Sequence, residues 1–453
     1  MKLSILHQII ITLKSEHHEP FIQRITRNKI LSKLLSLNLL IMQESASHFS
    51  EMKKIQRTIL TTELQPLLQA NPKVWYPLKR KLERISVRSS FATWIYEYYV
   101  QTGLAPQDHQ AYIFRSIIPM TAEFVIAHAY LFNQVRDRKY KIEEEEQIQK
   151  NIRQANLLET YFDKYILEHP RLNAQQRNQI HMCANRMKVA IEKGQKFTHE
   201  TSLDLITHQR LTALTISEKD IISYFSNRFL AQFFDYAKAK SSLDMQLALY
   251  SYYARCFLIN TDLFLRIATL IGNLLEIPIG NETRDTVKAF AERYGFMLQV
   301  VNDNSDFFYE RHTNYKLSSD VLSDIRNGTY TLPLILHLNT PEVKNKIVKG
   351  LFFQKNQSSL YGKHNIVLRE MIKSGALKES IRLGRRMGKS AKALLNQELP
   401  AGKMLARLTE IGDNNRYYYH YFKAKAFYGK SNNQDLLYKC ENYPSKSNPS
   451  NAF

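Results

Sequence analysis

The stretch YGFMLQVVNDNSDFFYERHTNYKLSSDVLSDIRNGTYTLPL, residues 294–334, combines an apolar helical pattern with oxygen-bearing side chains. Asn302, Asp306 and Glu310 recur at four-residue steps, so a helix projects them from one face. Asp303 lies one position round the same cluster. Mg²⁺ prefers oxygen ligands and is commonly held by one or two carboxylates together with substrate phosphates. The stretch therefore predicts a magnesium site, although the same spacing also fits the solvated edge of a surface helix.

This stretch resembles the second aspartate-rich region of trans-prenyl diphosphate synthases and, more broadly, of class I isoprenoid synthases. The family pattern reads Gln-x-x-Asp-Asp-x-x-Asp, then a loop, then Asp-Leu-x-x-Gly-Lys-x-Thr-Leu-Pro. Two positions depart from it, because Asn302 replaces the first aspartate and Thr329 replaces the loop lysine. The positions that keep register are Gln299, Asp303, Asp306, Asp324, Gly328, Thr331, Leu332 and Pro333.

The asparagine has a second interpretation within the same superfamily. Class I terpene cyclases carry an Asn, Ser or Thr, Glu triad at the spacing of Asn302, Asp306 and Glu310. The resemblance thus implies a site that combines features of prenyl synthases and terpene cyclases.

A second segment, TAEFVIAHAYLFNQVRD at residues 121–137, is similar to the helix that presents the first aspartate-rich motif. The Asp-Asp-x-x-Asp motif falls on Asn133, Gln134 and Asp137, so amides replace two of the three carboxylates. Amide oxygens coordinate hard cations without contributing charge, and we expect weaker metal affinity than in the family. The resemblance implies that Asn133 and Asp137 share the magnesium with the later cluster.

Segments that resemble the family's motifs follow one another in the family's order, at about its spacing, over roughly residues 84–427. Glu123 stands where the family places a glutamate, and Gly194 and Gln195 resemble its Gly-Gln pair. Asn260 begins a segment similar to the family's Lys-Thr helix but replaces the diphosphate-binding lysine. Residues 374–400 resemble the last long helix and its terminal proline.

The resemblance also implies residues that contact the diphosphate. Arg88 lies near the family's arginine-rich segment, and Gln299 and Asp324 are expected to bind substrate. Arg255 precedes the metal helix by about the distance of a diphosphate-sensing arginine in terpene cyclases. Arg416 and Tyr417 resemble the Arg-Tyr pair that cyclases use to hold pyrophosphate. The predicted catalytic residues are therefore Arg255, Arg416 and Tyr417.

The composition favours a helical architecture. Only 14 Gly and 13 Pro occur in 453 residues, which is sparse for a fold built from strands and turns. Apolar residues recur at three- and four-residue steps in one segment after another. We therefore predict an all-α fold, and the resemblance makes it a helical bundle around a central cavity.

The net charge of +21 favours anionic partners, although an excess of this kind also serves solubility alone. A prenyl diphosphate substrate is the first expected partner, with peripheral membrane contact and a homodimer as further candidates. The basic residues are scattered along amphipathic helices without a nucleic-acid-binding motif, so we expect no nucleic-acid partner.

Three regions are predicted along the chain. Residues 1–80 form a basic helical extension, residues 81–430 an isoprenoid synthase-like helical domain, and residues 431–453 a polar, disordered tail. We expect no membrane span, because no uninterrupted apolar run reaches eighteen residues. The three widely separated cysteines fit a reducing compartment, so we expect a cytoplasmic protein, with membrane-peripheral placement as a variant.

The resemblance implies a Mg²⁺-dependent class I isoprenoid synthase that ionises a prenyl diphosphate and releases pyrophosphate, as terpene synthases do. A chain-elongating polyprenyl diphosphate synthase is the first alternative. A non-catalytic regulatory subunit of a prenyl synthase is the second.

Overall fold

A computed structural model of the chain describes residues 50–83, 87–106, 110–136, 145–200, 252–305, 331–338 and 370–411, together with His48, Leu249, Phe307 and Thr329. Every regular element in these ranges is helical, which confirms the predicted all-α class. The chain divides into two compact units, Met1–Ile55 and Gln56–Phe453, and all that follows concerns the second.

The helices that position the site follow one another in chain order. They are α1 (Gln65–Ala70), α2 (Pro72–Leu82), α3 (Val87–Gln101), α4 (Ile118–Arg136), α5 (Glu145–Leu167), α6 (Ala174–Glu200), α7 (Asp262–Leu274), α8 (Glu282–Ser305), α9 (Leu332–Leu338), α10 (Ala376–Lys392) and α11 (Pro400–Leu408). Within the described ranges, three π-helical turns interrupt this series, at Leu60–Leu64, Ile113–Ile117 and Phe257–Thr261. Helix α2 lies mostly within the predicted extension at residues 1–80. In the structure it belongs to the second unit, where it packs against α4 and α5.

Helix α8 lies at the centre of the described bundle, where it packs against α7, α9, α10 and the turn Phe257–Thr261. Its contact with α10 is close because two glycines of α10 face it. A Cβ atom on Gly384 would lie 3.3 Å from Cγ1 of Val300, and one on Gly388 would lie 3.0 Å from Sδ of Met297. Small residues at these positions bring the two backbones together.

Aromatic rings fill the space between α3, α7 and α8. The ring of Phe91 lies 4.9 Å from Phe264 and 5.8 Å from Tyr294, measured between centroids, and all three side chains are fully buried. Offset and edge-to-face pairs of this kind contribute beyond their buried area. They fix α8 against the helices on either side of it.

The helical stretch Tyr252–Leu274 is the one in the described ranges with the length and composition to cross a membrane. Of its most apolar window, 61% is buried inside the protein. Its apolar composition therefore follows from its place in the core.

Candidate functional site

A buried carboxylate on α8 is the centre of the candidate site. The side chain of Asp303 is fully buried, and both of its oxygens accept hydrogen bonds. Oδ2 accepts from the hydroxyl of Tyr252 at 2.7 Å and from Nη2 of Arg255 at 3.0 Å, while Oδ1 accepts from Nε2 of Gln299 at 2.7 Å. Burying a charge is costly unless it is paired and hydrogen-bonded, and this carboxylate meets both conditions.

The network continues from Gln299 to the π-helical turn. Nδ2 of Asn260 donates to Oε1 of Gln299, so the two ends of the Gln299 amide have different partners and its orientation is set. The sequence resemblance aligns Asn260 with the family's diphosphate-binding lysine. In this structure Asn260 orients a neighbouring amide instead of presenting a positive charge.

Two spacings and two glycines bring these residues together. Tyr252 and Arg255 are three residues apart on one helix, and Gln299 and Asp303 are four apart on α8, so each pair shares a face. The turn Phe257–Thr261, which carries Asn260, lies directly against α8 and α6.

Glycines allow this close approach. A Cβ atom on Gly295 would lie 2.7 Å from Cα of Thr261, and one on Gly194 would lie 2.7 Å from Cγ1 of Ile259. The predicted Gly-Gln pair at residues 194 and 195 therefore includes a packing position beside the site.

The local electrostatics keep Tyr252 a hydrogen-bond donor. Burial, and next the negative charge of Asp303, raise the pKa of Tyr252 well above its ordinary value. The guanidinium carbon of Arg255 lies 5.2 Å from the centroid of the Tyr252 ring, where a cation–π attraction adds to the ion pair. Burial also raises the pKa of the Cys256 thiol, so this cysteine stays protonated and unreactive.

The predicted metal ligands on α8 face different directions. Asn302 is exposed, whereas Asp303 next to it is fully buried against Arg255. No group of three or more His, Cys, Asp or Glu side chains suited to a metal occurs within the described ranges. Asp303 already uses both oxygens on protein donors, so the described residues do not by themselves fit a magnesium ion.

Several predicted residues cannot be placed in this geometry. Asn133 lies in the last turn of α4. The others lie outside the described residues: Asp137, Asp306, Glu310, Asp324, Arg416 and Tyr417.

The two remaining arginine predictions have clear surroundings. Arg255 pairs with Asp303 and is 5% exposed, so its guanidinium is committed to the network on α8. Arg88, in the first turn of α3, is half-buried near Tyr294. Burial raises the pKa of Tyr294 while the positive charge of Arg88 opposes that effect.

Glu123 connects α4 to the start of α3. Its Oε1 accepts a hydrogen bond of 2.9 Å from the backbone N–H of Ser89, and its side chain is buried. A carboxylate at a helix N-terminus satisfies a backbone donor that has no partner within the helix and interacts favourably with the helix dipole. Glu123 thereby holds the first turn of α3, which carries Arg88.

Sequence reasoning missed Tyr252. The three-residue step to Arg255 is the signal that could have identified it, because Arg255 was already a candidate and shares its helix face.

No protein-family model and no curated protein matches this chain. Solved structures do match it. One is a geranylgeranyl pyrophosphate synthase from Corynebacterium glutamicum in complex with isoprenyl diphosphate and magnesium, which is 13% identical with a TM-score of 0.55, over 82% of this chain and 99% of that chain. Another is a geranylgeranyl pyrophosphate synthetase from Pyrococcus horikoshii, 16% identical with a TM-score of 0.53, over 82% and 99%.

A third match is a heptaprenyl diphosphate synthase from Staphylococcus aureus, 16% identical with a TM-score of 0.52, over 82% of this chain and 98% of that chain. At these identities the comparison establishes architecture. The chain shares the all-α fold of these solved synthases.

Proposed function

We propose that the protein is a class I isoprenoid synthase that acts on a prenyl diphosphate and releases pyrophosphate. The observation that carries this proposal is the arrangement of Gln299 and Asp303. Both come from the second aspartate-rich region, and both lie buried and hydrogen-bonded on the central helix of an isoprenoid-synthase fold.

The buried network has a supporting role in this proposal. The hydrogen bonds from Tyr252 and Arg255 to Asp303 hold α8 against the helical segment at residues 252–256. We assign metal ligation to the carboxylates of Asp306, Glu310 and Asp137, which lie outside the described residues. Asn302 and Asn133 are proposed as neutral oxygen ligands. Bound magnesium would stabilise the charge that develops on the leaving pyrophosphate. Arg88, Asp324, Arg416 and Tyr417 are proposed to contact the diphosphate.

Among the possible reactions, we favour ionisation of a single allylic diphosphate. Condensation of two diphosphates needs a basic pocket for the second one. The family's lysine in that pocket is replaced by Asn260, whose amide donates to Gln299. Chain elongation stays as the second candidate because the similar solved structures are named as synthases of that kind.

A non-catalytic subunit is the third candidate, and one observation favours it. Arg255 pairs with Asp303 and compensates the cost of burying its carboxylate. Asp303 therefore has a structural role that a protein without catalytic activity would also need.

Product analysis separates the three candidates. The protein is incubated with geranyl, farnesyl and geranylgeranyl diphosphates and Mg²⁺, with and without isopentenyl diphosphate. Pyrophosphate together with a non-phosphorylated product from one substrate alone supports the favoured reaction. Longer linear diphosphates formed only with isopentenyl diphosphate would replace it with elongation. Binding of prenyl diphosphate without turnover would leave the subunit candidate.

A further inference from the structure

Helix α10 carries a basic stripe that the proposed chemistry does not use. Its 17 residues include six basic side chains and one acidic side chain, Glu379. Five of the basic residues line one surface cavity of about 420 Å³: Lys378, Arg382, Arg385, Arg386 and Lys389. We propose that this stripe docks the protein electrostatically onto an anionic phospholipid surface.

Helix α10 has one buried apolar face and one exposed basic face. Leu377, Ile381, Met387 and Ala391 are buried toward the core, and the helix packs against α8 and α9. Lys378, Arg382, Arg386 and Lys389 are exposed on the opposite side. Nη1 of Arg382 lies 3.6 Å from Oε2 of Glu379, and a solvent-exposed ion pair of this kind leaves the helix with six basic side chains against one acidic one. The exposed face therefore has a strong positive potential.

The length of the stripe indicates the type of ligand. Lys378 and Lys389 are eleven residues apart, which corresponds to about 16 Å along a helix. One phosphate group reaches only two or three of these side chains, whereas a layer of anionic headgroups meets all of them together. Clusters of four to eight basic residues on an amphipathic helix are typical of contact with anionic lipids.

Two features distinguish this surface from others of similar charge. No aromatic residue occurs between Ala376 and Lys392, so the helix lacks the stacking platforms that bind single-stranded nucleic acid. The apolar face of α10 is already packed in the bundle, so the helix cannot insert it between lipids. Binding should therefore depend on charge alone and weaken as salt shortens the Debye length from about 30 Å at 0.01 M to about 8 Å at 0.15 M.

The test is co-sedimentation of the full chain with vesicles of phosphatidylcholine alone or of phosphatidylcholine and phosphatidylserine in equal parts. We expect salt-sensitive binding to the anionic vesicles only. The triple variant Lys378→Gln, Arg386→Gln, Lys389→Gln should bind about a hundredfold more weakly, because each basic residue near such a surface contributes about fivefold.

A matched control removes the same charge elsewhere. Lys150, Arg153 and Lys164 are exposed on α5, and their replacement by Gln should leave vesicle binding nearly unchanged. Melting temperatures of both triple variants verify folding. The proposal is overturned by absence of binding to anionic vesicles, by equal losses in the two triple variants, or by duplex DNA that binds the stripe more tightly than the vesicles do.

Discussion

The carboxylate of Asp303 is fully buried, and its charge is compensated by one guanidinium, one hydroxyl and one amide. A buried pair of this kind is weak evidence for net stability, but the removal of one partner leaves the other charge buried and uncompensated. The protein therefore depends on both members together. This dependence gives the network a measurable signature that does not involve catalysis.

We expect Asp303→Asn to lower the free energy of unfolding by about 3 kcal/mol, because it leaves the positive charge of Arg255 buried. Asp285→Asn is the matched control, since Asp285 is exposed on the same helix, and its change should stay within about 0.5 kcal/mol. Chemical denaturation followed by circular dichroism measures both. Equal stability of the two variants would show that the network does not hold α8.

The sequence predicts part of this site for a physical reason. The four-residue step from Gln299 to Asp303 determines that they share a helix face, and the structure agrees. Spacing does not determine which neighbour that face meets. The structure pairs Arg255 with Asp303, whereas its predicted contact with phosphate stays a prediction. Asn302 and Asp303 face different directions because adjacent helical residues point about 100° apart.

The π-helical turn Phe257–Thr261 determines how the elements meet. It lies against α6 and α8, and Gly194 and Gly295 leave the room that it needs. Long apolar segments made the helices predictable, because their three- and four-residue periodicity is strong. The turn was not predictable, since it results from tertiary contacts between segments distant in sequence.

We expect Gly295→Ala to destabilise the protein by about 1 to 3 kcal/mol, because the new Cβ would lie 2.7 Å from backbone Cα of Thr261 and the helices must separate. Gly272→Ala is the control on α7. Its nearest neighbour, Nε of Arg284, lies at 3.4 Å, and alanine favours helix by up to about 1 kcal/mol. Thermal unfolding of both variants measures the difference, and a Gly295→Ala variant as stable as Gly272→Ala would contradict the proposed packing.

Two buried histidines make the stability of the whole bundle depend on pH. His128 lies with Nε2 3.3 Å from Oε2 of Glu159, and His169 with Nε2 3.7 Å from Oε2 of Glu63. The nearby carboxylates favour the charged imidazole, but burial outweighs them and lowers the pKa of both histidines. Near neutral pH both are uncharged in the folded protein.

Because the pKa values are lower in the folded state, the unfolded chain binds protons first as pH falls. The contribution of the neutral histidines to stability is fully present above their unfolded-state pKa of about 6.5, and it decreases as pH falls below that value. We expect the free energy of unfolding to fall by roughly 1 to 2 kcal/mol between about pH 7.5 and about pH 5.5. Urea titrations at both pH values measure this change. The double variant His128→Gln, His169→Gln should show a smaller change, and an unaltered pH dependence would contradict the assignment.

For the whole molecule, we propose that this fold processes prenyl diphosphates, and pyrophosphate release in the presence of Mg²⁺ tests this function most directly. We predict release from at least one of geranyl, farnesyl and geranylgeranyl diphosphate. In Asp306→Ala, turnover should fall by about a hundredfold or more, by analogy with loss of one group that stabilises transition-state charge, while the melting temperature stays close to that of the unaltered protein. Absence of pyrophosphate from every substrate, or equal turnover in Asp306→Ala, would contradict the proposed function.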